Sequence, residues 1–138
     1  MKPHSLTFRA GAGALSSIRG GGFDISSVGT IAGASGGAKW LVLSQLDRAI
    51  LTSIVPRLQG PVHLIGSSIG SWRFACYGQH DPVTAIERFE KAYLEQSYSD
   101  DPDIHEITAK SREILQTVLG ETGVAEILGN PLFRTHIM

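Results

Sequence analysis

The sequence predicts an α/β fold, a three-layer, mostly parallel sheet with helices on both faces. Three observations carry that expectation. Short apolar runs alternate with longer segments of helical periodicity, the links between them are brief, and 13 of the 16 glycines fall within residues 1–78. Strand, helix and strand joined by short links close into parallel pairs with the helices packed on the sheet. The runs are uninterrupted, as in strands buried on both sides.

Taken in order, residues 5–10 (SLTFRA) read as a strand and 13–19 as a short helix ended by Gly20-Gly21-Gly22. Residues 28–33 (VGTIAG) read as a second strand. From Lys39 to Leu51, Trp40, Leu43, Leu46 and Ile50 recur at helical spacing and predict a helix with one buried stripe. Gly60-Pro61 punctuates the chain, 62–66 (VHLIG) form a third strand, and a helix from Ile69 to Tyr77 stops at Gly78. Asp81-Pro82 supplies an N-cap and a first-turn proline to the next helix, whose Ile86, Phe89 and Tyr93 face the core. Ile104, Ile107, Ser111, Ile114, Leu115 and Val118 mark another helix, closed by Gly120. The segment LFRTHIM then begins a fourth strand. The whole of 1–138 reads as one domain whose sheet is incomplete at the C-terminal side.

Composition removes several function classes. With 42% hydrophobic residues and a net charge of −1, the chain is too apolar and too weakly charged to be disordered. The same balance argues against a nucleic-acid partner, which calls for a strongly basic face. No apolar run approaches the roughly 18 residues of a membrane span, and Met1 to Arg9 lack the apolar stretch of a secretory signal. The single cysteine, Cys76, excludes an internal disulfide framework and reads as core packing. No two histidines have ligand spacing, so no metal is expected. A cytoplasmic protein is the expectation. Charge is unevenly placed: residues 1–78 hold seven Lys/Arg against two acids, and 79–138 hold five against eleven. A basic, glycine-rich half suits a site for anions or developing negative charge.

Gly-x-Ser-x-Gly occurs twice, as Gly33-Ala34-Ser35-Gly36-Gly37 and Gly66-Ser67-Ser68-Ile69-Gly70. Each follows a predicted strand and opens a helix, the setting in which a serine hydroxyl is thrust out at a tight turn. The first element continues as Ser35-Gly36-Gly37-Ala38-Lys39, and successive backbone N–H groups there would cradle an oxyanion or a phosphate. The second has Ser68 at its apex with a compact helix behind it, the form of a nucleophile elbow.

In these motifs residues 28–96 resemble the core of the patatin-like phospholipases. The glycine-rich oxyanion loop of that family is similar to Ser35-Gly36-Gly37-Ala38-Lys39, with Ser35 and Trp40 standing where the family usually has glycine. Its elbow is similar to Gly66-Ser67-Ser68-Ile69-Gly70. The resemblance implies a lipid acyl hydrolase that needs no cofactor. Ser68 would be its nucleophile, with Gly36, Gly37, Ala38 and Lys39 around the oxyanion and Gly66 and Gly70 shaping the elbow. A lipid or other ester would be the substrate, met by transient contact with a membrane surface. A second register takes Gly11-Ala12-Gly13-Ala14 as the oxyanion loop and Ser35 as the nucleophile. Ser68 is preferred because the lysine and the following helix fit that register alone.

The family pairs its serine with an aspartate in a later Asp-Gly, and this sequence contains no Asp-Gly. The expectation is a chain truncated before the base, its exposed sheet edge favouring self-association. A serine without a base is a weak nucleophile. His63, within the third strand, reads as a satisfied core histidine. The competing function is a non-catalytic α/β domain that binds phosphate, nucleotide or lipid through the same glycine loops, although neither loop completes a dinucleotide or P-loop pattern.

Overall fold

Three parallel strands in the order β1-β2-β3 run through the molecule: β1 (Thr30–Gly33), β2 (Val62–Gly66) and β3 (Phe133–Ile137). The computed structural model describes residues 9–34 and 36–138. The strand expected over 5–10 lies largely outside the described residues. α1 (Ala12–Gly21) buries none of its residues. Between β1 and β2 the chain coils without a break, from a 3₁₀ segment (Gly37–Leu43) into α2 (Ser44–Ala49), a π segment (Ile50–Ile54) and a last 3₁₀ turn (Val55–Arg57). α3 (Ile69–Tyr77), α4 (Pro82–Glu95), α5 (Ile104–Leu119) and α6 (Gly123–Gly129) separate β2 from β3.

The helix expected over 39–51 is present, but its buried stripe is rotated. Trp40, Ser44, Asp47 and Leu51 are buried, whereas Leu43 is exposed and Leu46 and Ile50 are only half-buried. The cause is the carboxylate of Asp47, which has ionic and phenolic partners on α3 and carries its own face of the helix inward. The cap expected of Asp81 forms, whereas Ile104, Ile107 and Leu115 of the α5 stripe are exposed. Asp81 accepts a hydrogen bond from the Thr84 N–H at 3.1 Å and caps α4, and Asp103 accepts from the Glu106 N–H at 2.7 Å to cap α5. Hydrogen bonds from Thr84 hold the Asp81 carboxyl below the usual range. The support this cap gives α4 is therefore present at neutral pH and fades as pH falls through that lowered value.

The sheet departs from the two-sided cover expected of it. Val62, Leu64 and Gly66 of β2 are buried while His63 and Ile65 are exposed, and β3 alternates in the same sense with Phe133 in and Arg134 and His136 out. α3 touches all three strands from the buried side. Among the described residues, the face that carries Thr30, Ala32, His63, Ile65, Arg134 and His136 is open or only partly covered. His63 is accordingly a surface residue and not a core histidine.

The core fills the space between the covered sheet face and the helices. Leu64, Val62 and Phe133 meet Phe74, Cys76, Tyr77, Ile86, Phe89 and Val118 there. Phe89 stacks on Trp40 at 4.3 Å between ring centroids and on Trp72 at 5.6 Å. Each stacked pair adds about 0.5–1.5 kcal/mol beyond its buried area. No helix among the described residues is long and apolar enough to cross a membrane.

Candidate functional site

Both Gly-x-Ser-x-Gly motifs sit at the carboxyl edge of the sheet, where open parallel sheets place their ligands. β1 and β2 pair in register with Gly33 opposite Gly66, so the two motifs start side by side on neighbouring strands. The Ser67 N–H donates to the Gly33 carbonyl at 3.0 Å and carries the ladder one step past the strands. Ser35, the alternative nucleophile, lies outside the described residues.

Ser68 caps α3 with φ 52° and ψ −124°, and it alone among the described non-glycine residues has a positive φ. A side chain held in that region costs on the order of 1–3 kcal/mol and persists only where the surroundings impose it. Here they do. The N–H groups of Gly70 and Ser71 turn back onto the Ser67 and Ser68 carbonyls at 3.0 and 2.9 Å. A Cβ on Gly66 would lie 2.6 Å from the Ser71 Cα, and one on Gly70 would collide with the Gly33 carbonyl oxygen. Glycine at both positions thus lets α3 press against β1 and β2, and the sharp turn leaves the Ser68 side chain exposed.

The Ser68 turn opens into a cavity of about 230 Å³. Gly37, Ile69, Trp72, Phe89, Tyr93 and Ser111 are among the residues around it. Trp72, Phe89 and Tyr93 line it together with the hydroxyl-bearing Ser68 and Ser111, a mixture of aromatic and polar groups that suits a small molecule. Of the loop residues singled out, Gly37 shares this cavity with Ser68, while Gly36, Ala38 and Lys39 are exposed and stand outside its lining. Gly37 adopts φ +52° with open space where a Cβ would project. Valine there should cost about 1–2 kcal/mol through its left-handed backbone alone. Asparagine, which tolerates that region, should cost less in the same denaturant titration.

A larger groove of about 440 Å³ lies between α4 and α5. Its charges are of mixed sign and partly paired, with Lys110 3.0 Å from Glu113 and Lys91 4.0 Å from Glu95. Among the described residues that line it none has a positive φ, and Ser68 is not one of them.

Between α2 and α3 lies a buried ion pair that the sequence did not reveal. Asp47 is fully buried and receives the Arg73 Nε at 2.8 Å, the Arg73 Nη2 at 2.5 Å and the Tyr77 hydroxyl at 2.8 Å. Burial opposes the Arg73 charge, but the hydrogen bond and charge of Asp47 outweigh it and raise the guanidinium above its ordinary value. Burial, reinforced by the Asp47 charge, pushes the Tyr77 phenol up. Burial likewise pushes the Cys76 thiol up, which keeps it protonated and inert. Arg73 is thus a packing and anchoring residue, and Trp72 is the neighbour of the elbow that reaches the cavity.

Among the described residues, no aspartate or histidine hydrogen-bonds the Ser68 hydroxyl. Asp24, Asp81 and Asp103 cap helical turns, and Asp47 is held by Arg73 and Tyr77. No known protein family, curated protein or solved structure matches this chain.

Proposed function

We propose that the chain carries the serine and oxyanion elements of a lipid acyl hydrolase of the patatin-like type. The observation behind this reading is the strained backbone of Ser68, which faces one cavity together with Gly37. In this scheme the Ser68 Oγ attacks an ester carbonyl as a base removes its proton. The developing oxyanion accepts hydrogen bonds from the Gly37 N–H and from the N–H of Ile69, the residue after the nucleophile. Collapse of the tetrahedral intermediate expels the alcohol and leaves an acyl-serine, which water then hydrolyses. The aromatic wall of Trp72, Phe89 and Tyr93 would receive the acyl chain.

The occupied aspartates favour a second reading. With no base at Ser68 among the described residues, the same cavity serves a non-catalytic domain that holds a lipid or a phosphate. A fluorophosphonate probe separates the two, because only an activated serine reacts with it. Where a base reaches Ser68, the expected result is labelling at Ser68 that Ser68→Ala removes while circular dichroism stays unchanged. Turnover of a short-chain ester should fall by several orders of magnitude in the same variant. Valine at Gly37 keeps the N–H but strains the left-handed backbone that aims it, so Gly37→Val should lower turnover by roughly 10²-fold, the scale of losing one oxyanion donor. Labelling that survives Ser68→Ala and disappears in Ser35→Ala would move the nucleophile to the first motif. Labelling at neither serine would leave the binding reading standing.

A further inference from the structure

Four of the ten aromatic residues of the chain, Trp72, Phe89, Tyr93 and Tyr98, line the cavity at Ser68. Their rings meet at defined angles. Phe89 lies nearly parallel to Trp40 and to Trp72, at 10° and 12°, and it is fully buried. Tyr93 stands at 83° to Phe89, so the planes of Trp72 and Tyr93 are close to perpendicular, as two walls of a corner. Tyr98 adds a wall from the segment that follows α4, and at 41% exposed it is no core residue. Its hydroxyl donates to the Gln96 Oε1 at 2.9 Å, and the Gln96 Nε2 donates to the Tyr93 carbonyl at 2.8 Å, which ties Tyr98 to the last turn of α4. The Ser99 N–H and hydroxyl donate to the Glu106 carboxylate at 2.7 and 2.6 Å and fasten the same segment to the first turn of α5. Among the described residues that line the cavity there is no acid, no base and no histidine.

We propose that this cavity binds a quaternary ammonium group, a trimethylammonium head of the choline type, among Trp72, Tyr93 and Tyr98. The electron-rich face of an aromatic ring attracts a cation, most strongly when the ring is tryptophan. A metal ion or an ordinary ammonium would need ligands or hydrogen-bond acceptors that an uncharged aromatic wall does not supply. A quaternary nitrogen carries no N–H, so its methyl groups exchange water for ring surface and leave no donor unpaired. No lysine or arginine among the described lining residues stands there to repel it, and no carboxylate competes with the rings for it. A cavity of about 230 Å³ has room for such a head and a short stem, since a water molecule occupies about 30 Å³ in the liquid. The inference rests on the cavity alone and sharpens the binding reading of it: the wall that a hydrolase would give to an acyl chain takes a cation.

Titration of the intact chain with choline chloride, followed through the two indole N–H resonances by NMR, tests the site. The expected result is a saturable shift that is larger for Trp72 than for Trp40, which is not among the lining residues. The uncharged isostere 3,3-dimethylbutan-1-ol should bind about tenfold more weakly, because it loses the attraction of several rings for the cation. Tyr98→Leu keeps apolar bulk without a ring, so it should weaken choline about fivefold and leave the alcohol unaffected. Tyr98→Phe keeps the ring and should retain most of the affinity. Tyr98 is exposed, so both variants should fold, and their ligand-free melts provide the check. Sedimentation with phosphatidylcholine but not phosphatidylglycerol vesicles supports a lipid head group as the source of the cation, and choline binding without sedimentation supports a soluble compound. Choline binding is expected whether or not Ser68 reacts with the fluorophosphonate probe, so this inference and the hydrolase reading fail separately. Equal affinity for choline and the alcohol would mark a plain apolar pocket and overturn the proposal. Absence of a saturable shift, or wild-type choline affinity in Tyr98→Leu, would overturn it as well.

Discussion

Asp47→Ala should destabilise the protein by about 3–5 kcal/mol, the cost of leaving a buried charge without its partner. The substitution removes the acceptor for both Arg73 nitrogens and for the Tyr77 hydroxyl, all inside the core. Urea titrations should show a large fall in midpoint with little change in slope. The network should nevertheless contribute little net stability against an apolar replacement of similar volume. The triple variant Asp47→Leu, Arg73→Met, Tyr77→Phe should recover most of the loss, since desolvation of the ions offsets much of their attraction. A cost below about 1 kcal/mol for Asp47→Ala would mean that water reaches the pair and that it is not buried in solution.

Gly70→Ala should be comparably damaging, for a steric reason. The added Cβ points at the Gly33 carbonyl, which is fixed by its hydrogen bond from the Ser67 N–H. Backbone on both sides leaves nothing flexible to give way, so α3 must lift from β1, at an expected cost of about 3 kcal/mol or more. Gly129→Ala is the matched control, because nothing lies within 4 Å of its added Cβ. It should be neutral within about 0.5 kcal/mol. Equal melting temperatures for the two variants would contradict the close approach of α3 and β1. The same lift would relax the Ser68 backbone, so cavity binding should fall along with stability.

How much of this was legible in the sequence depends on the range of the interactions concerned. β2 and α3 fall where the local pattern puts them, at 62–66 and Ile69–Tyr77, because a glycine-bounded apolar run and a short compact helix are local signals. The Asp81 cap and the Gly120 stop are local too. Apolar periodicity cannot register a carboxylate whose partner lies on another helix, so the stripe over 39–51 is rotated from the one it predicts. His63 was misplaced for a related reason. An unbroken apolar run suggests cover on both faces, yet its residues alternate strictly between buried and exposed, and only packing says which face the histidine takes. α6 went unseen because it is short and has glycine at each end. At the site, the motif spacing led to Ser68 and Gly37, but it gave no sign that Gly36, Ala38 and Lys39 stand outside the cavity.

The sheet order has a consequence for how the chain assembles. β2 is the central strand, and its two partners come from opposite sides of it in sequence, β1 across the coiled segment and β3 only after α3, α4, α5 and α6. α3 leans on all three strands at once. It can therefore settle fully only when the last pairing has closed, and closing long loops before any contact rewards them makes such parallel pairings slow. During synthesis β1 and β2 leave the ribosome well before Phe133, and one edge of β2 waits unpaired over that interval. An open edge beside apolar Val62 and Leu64 is where a half-made chain would stick to its neighbours. Yield from cells should thus respond to expression temperature and chaperone supply more steeply than the stability of the finished fold alone would suggest.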